Sequence, residues 1–112
     1  MLICNLTPHA IIANGVTIPA SGEVARVIVT RKQVGNLALE DGTTIPAFVP
    51  TFGEVTGLPP RKWGTLYLVS AMVRSHPDVA KRKDVASPGN LVRDENGVII
   101  GCDGLDLNFN AE

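Results

Sequence analysis

The sequence predicts a mainly β (α+β) domain: a small mixed, largely antiparallel sheet or partly closed barrel, with one short helix. Three observations predict it. Gly and Pro together number 19 of 112 residues and are spread along the chain, which suits short elements joined by tight turns. The aromatics are only Phe48, Phe52, Phe109, Trp63 and Tyr67, so the core must be mostly Val, Ile and Leu, residues that favour strands. Asn-Gly pairs lie between apolar runs at two places, and both residues tolerate the positive φ of a two-residue hairpin turn.

The elements follow in order. Leu2 to Leu6 reads as a first strand, broken at Thr7-Pro8 because proline offers no backbone donor. His9 to Ala13 and Val16 to Pro19 flank Asn14-Gly15 as a hairpin. Glu23 to Val29 alternates as a strand. Thr30 to Asn36 stays open: Thr30 could cap a helical turn that Gly35 would soon end. Asp41-Gly42 signals a turn. Thr44 to Val49 reads as extended despite Pro46, and Thr51 to Val55 as a further strand before the Gly57-Leu58-Pro59-Pro60 loop. Leu66 to Val69 is the most apolar of these windows and reads as a central strand. Ser70 then caps a short helix that Pro77 stops. Asp78 to Lys83 is a helical turn or loop, and Val85 to Ser87 is extended. Leu91 to Arg93 and Val98 to Cys102 bracket a second hairpin tipped by Asn96-Gly97. From Leu105, apolar Leu105, Leu107 and Phe109 alternate with Asp106, Asn108 and Asn110, the period of an edge strand. Nothing divides the chain, so one domain over residues 1–112 is expected.

Composition excludes several function classes. The net charge of −1 gives no overall basic field for nucleic acid. The basic runs Arg31-Lys32 and Lys81-Arg82-Lys83 read as solvated loops. No apolar run is long enough to span a membrane, and no basic segment followed by an apolar run suggests a signal peptide, so a cytoplasmic location is expected. Cys4 and Cys102 sit in apolar runs as small packed residues. A disulfide between them stays open, and no spacing calls for a metal or another cofactor.

Catalytic groups are scarce. His9 and His76 are the only side chains that titrate near neutrality unperturbed. His9 either ties down the turn after Thr7-Pro8 or serves as an acid, base or ligand donor. His76 reads as facing solvent at a helix end. Ser70 lacks a GxSxG setting. It opens a helix whose face carries Arg74, a pair that either forms an ordinary cap with a surface arginine or receives a phosphate. Arg93 lies on an exposed strand face or forks onto a phosphate or carboxylate at a pocket mouth. Trp63 and Tyr67 flank Gly64-Thr65; each could stack on a base, although burial of such rings is the commoner fate.

Asn5-Leu6-Thr7-Pro8-His9, Leu66-Tyr67-Leu68-Val69-Ser70-Ala71, Asn90-Leu91-Val92-Arg93-Asp94 and Gly97-Val98-Ile99-Ile100-Gly101-Cys102 together resemble a family of small proteins encoded by bacteriophages, prophages and some bacteria. That family often opens with an Asn-Leu-Thr-Pro-His string. The resemblance spans most of the chain but brings no catalytic or binding residues with it. It implies a phage accessory protein acting in the bacterial cytoplasm.

In that setting the expected function is sequestration, without turnover, of a small phosphate-containing, nucleotide-derived immune signal. A binder of this kind needs a pocket with polar groups for phosphate and an aromatic or apolar wall for a base, but no transition-state machinery. The expected ligand-binding set is Asn5, Thr7, His9, Tyr67, Ser70, Arg74 and Arg93. No nucleic-acid or membrane partner is expected, and a homo-oligomer is compatible with a pocket built across a symmetric contact. Two alternatives differ in class: an enzyme cleaving such a signal with His9 as acid or base, and a protein-interaction module that inhibits a host protein or serves in virion assembly.

Overall fold

The structure is a computed structural model that describes residues 1–109. Its fold is mainly β, as the sequence predicts, with one helix among the described residues. The strands form three separate small sheets, and none closes into a barrel.

The first sheet joins β1 (Leu2–Asn5), β6 (Thr65–Leu68), β7 (Val85–Pro88) and β10 (Leu105–Leu107), in the spatial order β1-β6-β7-β10. β1 and β7 run parallel to β6, while β10 is antiparallel to β7. The central place expected for Leu66 to Val69 and the edge place expected for the segment from Leu105 both hold. Asn110, which closed the predicted alternation, lies outside the described residues. Parallel neighbours need a crossover. Between β6 and β7 it is supplied by α1 (Ala71–Arg74) and the hydrogen-bonded turns after it. Ser70 is the N-cap, its hydroxyl accepting from the Val73 amide at 3.3 Å.

The second sheet has the order β3-β2-β9-β8, from β2 (Ile11–Ala13), β3 (Val16–Ile18), β8 (Leu91–Arg93) and β9 (Ile99–Cys102). Both predicted hairpins are present. Asn14 and Gly15 hold φ of 49° and 78°, the left-handed pair that this turn demands. Gly101 lets β9 approach β2, since a Cβ there would lie 2.5 Å from the Ile12 carbonyl oxygen.

Apolar clusters cover both faces of the first sheet. Tyr67, Val69 and Val85 pack with Leu6, Val73 and Val79 on one side. Leu68 packs with Ala13, Ile18 and Cys102, joining the first sheet to the second. This two-sided burial explains the unbroken apolar run from Leu66 to Val69. Cys4 and Cys102 fall in different clusters and both are free thiols, so the open disulfide is not formed.

The third sheet is a long two-stranded hairpin, β4 (Arg26–Ala38) with β5 (Thr44–Thr56). Here Thr30 to Asn36, which the sequence leaves open, is strand, and one reading is corrected: the Arg31-Lys32 run lies in that strand rather than in a loop. Both strands are edges, where Pro46 and Pro50 are tolerated because their missing N–H groups need not join the ladder. Asp41 organises the turn by accepting from the Thr43 amide at 3.0 Å and its hydroxyl at 2.6 Å. Only the base of this arm, through Val27 and Val55, packs on the core.

Candidate functional site

The Asn5-Leu6-Thr7-Pro8-His9 string forms a buried hydrogen-bond knot. Asn5 is 1% exposed. Its Nδ2 donates to the His9 and Ile18 carbonyls at 2.9 and 3.1 Å, while its Oδ1 accepts from the Thr7 amide and hydroxyl at 2.9 and 2.6 Å. The Thr7 hydroxyl also reaches the His9 carbonyl at 2.9 Å. This knot lets the chain leave β1 and enter β2 with its buried polar groups satisfied. His9 takes part through its backbone, and the residue as a whole is exposed.

The other expected ligand residues are dispersed. Tyr67 is buried in the core, with its hydroxyl 3.4 Å from the Pro60 carbonyl. Ser70 is occupied in capping. Arg74 donates from Nε to the Ser87 hydroxyl at 2.7 Å and from a terminal nitrogen to Asn108 Oδ1 at 3.0 Å. Asn108 in turn donates to the Arg74 and Val79 carbonyls, both at 3.2 Å, which closes the end of the crossover. Arg93 bonds the Gly97 carbonyl across the turn of its own hairpin at 2.9 Å. Asn5, Thr7 and His9 thus meet at one end of β1, and Ser70 and Arg74 share α1, while Arg93 stands apart.

A different cluster presents free chemistry. Lys62, Trp63, Gly64 and Thr65 form a tight turn in which the Thr65 amide bonds the Lys62 carbonyl at 3.0 Å. Gly64 holds a φ of 77°, which a side chain would resist. The Leu2 amide bonds the Gly64 carbonyl at 2.8 Å, anchoring the turn to β1. Trp63 stands at the tip and is 99% exposed, although sequence reasoning favours burial for such a ring. Arg61, Lys62 and Trp63 line a depression of about 430 Å³ together with Asp84. Lys62 and Thr65 also border a neighbouring depression of about 420 Å³, walled by β1, Asn5, Ser21 and Tyr67.

Asp84 does not cancel the positive charge here. Both of its carboxylate oxygens are taken by Arg82, at 3.0 and 2.6 Å. Burial opposes ionisation of Asp84, but the Arg82 hydrogen bonds and charge, assisted by Arg61, outweigh it and hold the carboxyl below its ordinary value. Arg82 also donates to the Pro59 carbonyl at 3.0 Å, fixing the loop that carries Arg61 to Trp63. Arg82 is therefore a partly buried tie rather than part of a solvated run, a further correction. Arg61 and Lys62 form no ion pair among the described residues. They escape the sequence reading, which singles out only the two other basic runs; a diproline followed by Arg-Lys-Trp-Gly was the available signal.

His76 is also corrected. Its side chain is only 14% exposed rather than solvent-facing. Nε2 lies 2.8 Å from the Gly53 carbonyl at the base of the arm, and Nδ1 accepts from the Asp78 amide at 3.1 Å. No group of three or more His, Cys, Asp or Glu among the described residues is placed to hold a metal ion. No described helix is long and apolar enough to cross a membrane. No family model, curated protein or solved structure matches the chain.

Proposed function

We propose that this chain is a phage accessory protein that binds and sequesters a small nucleotide-derived immune signal in the bacterial cytoplasm. The observation that supports this most is the fully exposed Trp63 beside Arg61 and Lys62 along one depression, with Lys62 also bordering a second. An exposed indole offers a stacking face for a base, and two cations that form no ion pair among the described residues offer charge-assisted bonds to phosphate. The turn and the Arg82–Asp84 tie fix the backbone that carries these groups before a ligand arrives, which lowers the ordering cost of that backbone. The site of this reading is therefore Arg61, Lys62 and Trp63, with Asn5 and Tyr67 from the sequence-based set in the adjoining wall.

Trp63 is the sole tryptophan, so its fluorescence reports directly on the site. Titration with cyclic dinucleotides and cyclic ADP-ribose isomers is expected to quench it for one of them. Trp63→Ala, followed by calorimetry, is expected to weaken binding of that compound about 10- to 100-fold. Chromatography of the bound compound after heat release separates sequestration from turnover. Return of the intact compound supports a binder, and return of a product would make it an enzyme. Absence of binding by fluorescence and calorimetry across the panel would sink the proposal.

A further inference from the structure

We propose that the β4–β5 arm docks over the apolar depression lined by β2, β8 and β9 of a second copy of this chain, the two copies exchanging arms reciprocally. The starting point is surface area. The chain exposes 7984 Å², whereas a compact monomer of 11.9 kDa exposes about 6,000 Å². The excess, about 2,000 Å², exceeds the roughly 800 Å² that each partner contributes to a standard interface and falls in the range of obligate ones. The radius of gyration is likewise 17.8 Å, against about 13 Å for a compact domain of this length.

Two complementary features expose apolar surface. The arm is a two-stranded ribbon, an architecture that is marginal in water without something to pack against. Its register places Val29, Phe48 and Phe52 on one face, and each is at least 40% exposed. On the body, Ile12, Leu91, Ile99 and Ile100 are also half exposed, and they line a shallow apolar depression of about 300 Å³. A projecting apolar face and an apolar hollow on the same chain are what reciprocal exchange requires, and reciprocity closes the assembly at two copies.

Charge favours a second copy over other occupants. Residues 26–56 carry Arg26, Arg31 and Lys32 against Glu40, Asp41 and Glu54, so the arm has no net charge to attract nucleic acid or an anionic membrane. Mid-arm, however, Arg31 lies on the face of Val29, Phe48 and Phe52, stacked 4.0 Å from the Phe48 ring centre, while Lys32 lies on the opposite face. The β8–β9 hairpin and the residue after it carry Asp94, Glu95 and Asp103 against Arg93 alone. The docking face of the arm thus carries a cation, Arg31, and the hairpin that lines the hollow is net acidic, so the two surfaces are complementary in charge.

The test is light scattering on the purified full chain, with two variants. The wild type is expected at twice the chain mass. Phe48→Asp with Phe52→Asp on the arm, and Leu91→Asp with Ile99→Asp on the body, are each expected to raise the dissociation constant at least about 30-fold. Mixing the two variants is expected to restore a heterodimer, because one intact arm then meets one intact hollow. A monomeric wild type, or the absence of rescue on mixing the two variants, would overturn the proposal. These outcomes do not depend on nucleotide binding, which is read at Trp63.

Discussion

The body and the arm of this protein solve the problem of backbone hydrogen bonding in opposite ways. In the body, short strands of three or four residues gain stability from side chains packed on both faces of the first sheet, with Leu68, Val69 and Val85 fully enclosed. In the arm, two strands of 13 residues pair along their inner edges and leave their outward backbone groups and most of their side chains in water. Strand length and strand stability are thus decoupled here: the longest strands carry the least core. Burial, not hydrogen-bond number, should decide which region resists perturbation.

The largest effect that tests this contrast is in the body. Leu68→Ala is expected to cost about 2–5 kcal/mol, read as a lower midpoint in urea unfolding, because the cavity would lie between two packed sheets. A cost comparable to that of an arm surface substitution, about 0.5 kcal/mol or less, would break the contrast. Next comes the polar knot. Asn5→Asp keeps the shape but turns the amide donor toward the His9 and Ile18 carbonyls into a carboxylate oxygen. A loss of about 2–3 kcal/mol by thermal unfolding at neutral pH is expected, with partial relief in acid as the carboxyl protonates.

The Arg82–Asp84 tie adds a pH-dependent term. Because the folded state holds Asp84 below its ordinary value, the tie contributes fully above the unfolded value of 3.8 and is lost as pH falls through the lower folded value. Wild type and Asp84→Asn should therefore differ by a constant amount above about pH 5 and converge below about pH 4. A gap that widens on acidification would contradict the ion pair. The smallest effect belongs to the junction of the two regions. His76→Ala removes the bond to the Gly53 carbonyl, so amides at the base of β5 should exchange faster while global stability falls by about 1 kcal/mol. Unchanged exchange there would mean that the arm is held by Val27 and Val55 packing alone.

The candidate site was less legible than the fold. Ser70 announced its role because a serine before a short apolar helical segment has one local task. Trp63 gave no such indication: an apolar ring is ordinarily enclosed, and its exposure depends on a turn pinned from below by β1 and from the side by Arg82. Arg74 and Arg93 looked free in one dimension because their partners, Asn108 and the Gly97 carbonyl, are set by tertiary and turn geometry.

What the sequence determined by itself was local: the two Asn-Gly hairpins, the helix cap and the buried central strand, each specified by backbone preferences within a few residues. Of the long arm it specified parts, Glu23 to Val29, Thr44 to Val49 and Thr51 to Val55 as extended and Asp41-Gly42 as a turn, but not Thr30 to Asn36 or the union of these parts in one ribbon. Its register shifts, its prolines and its two exposed faces break the period-two pattern by which a half-buried strand declares itself. Tertiary structure alone decided the parallel pairing of β1 with β6, which joins residues 63 positions apart that carry no local signal for each other. It also decided which polar residues are buried. Asn5 and Asp84 are polar in composition and interior in fact, because only the folded chain supplies the carbonyls and the guanidinium that offset their desolvation.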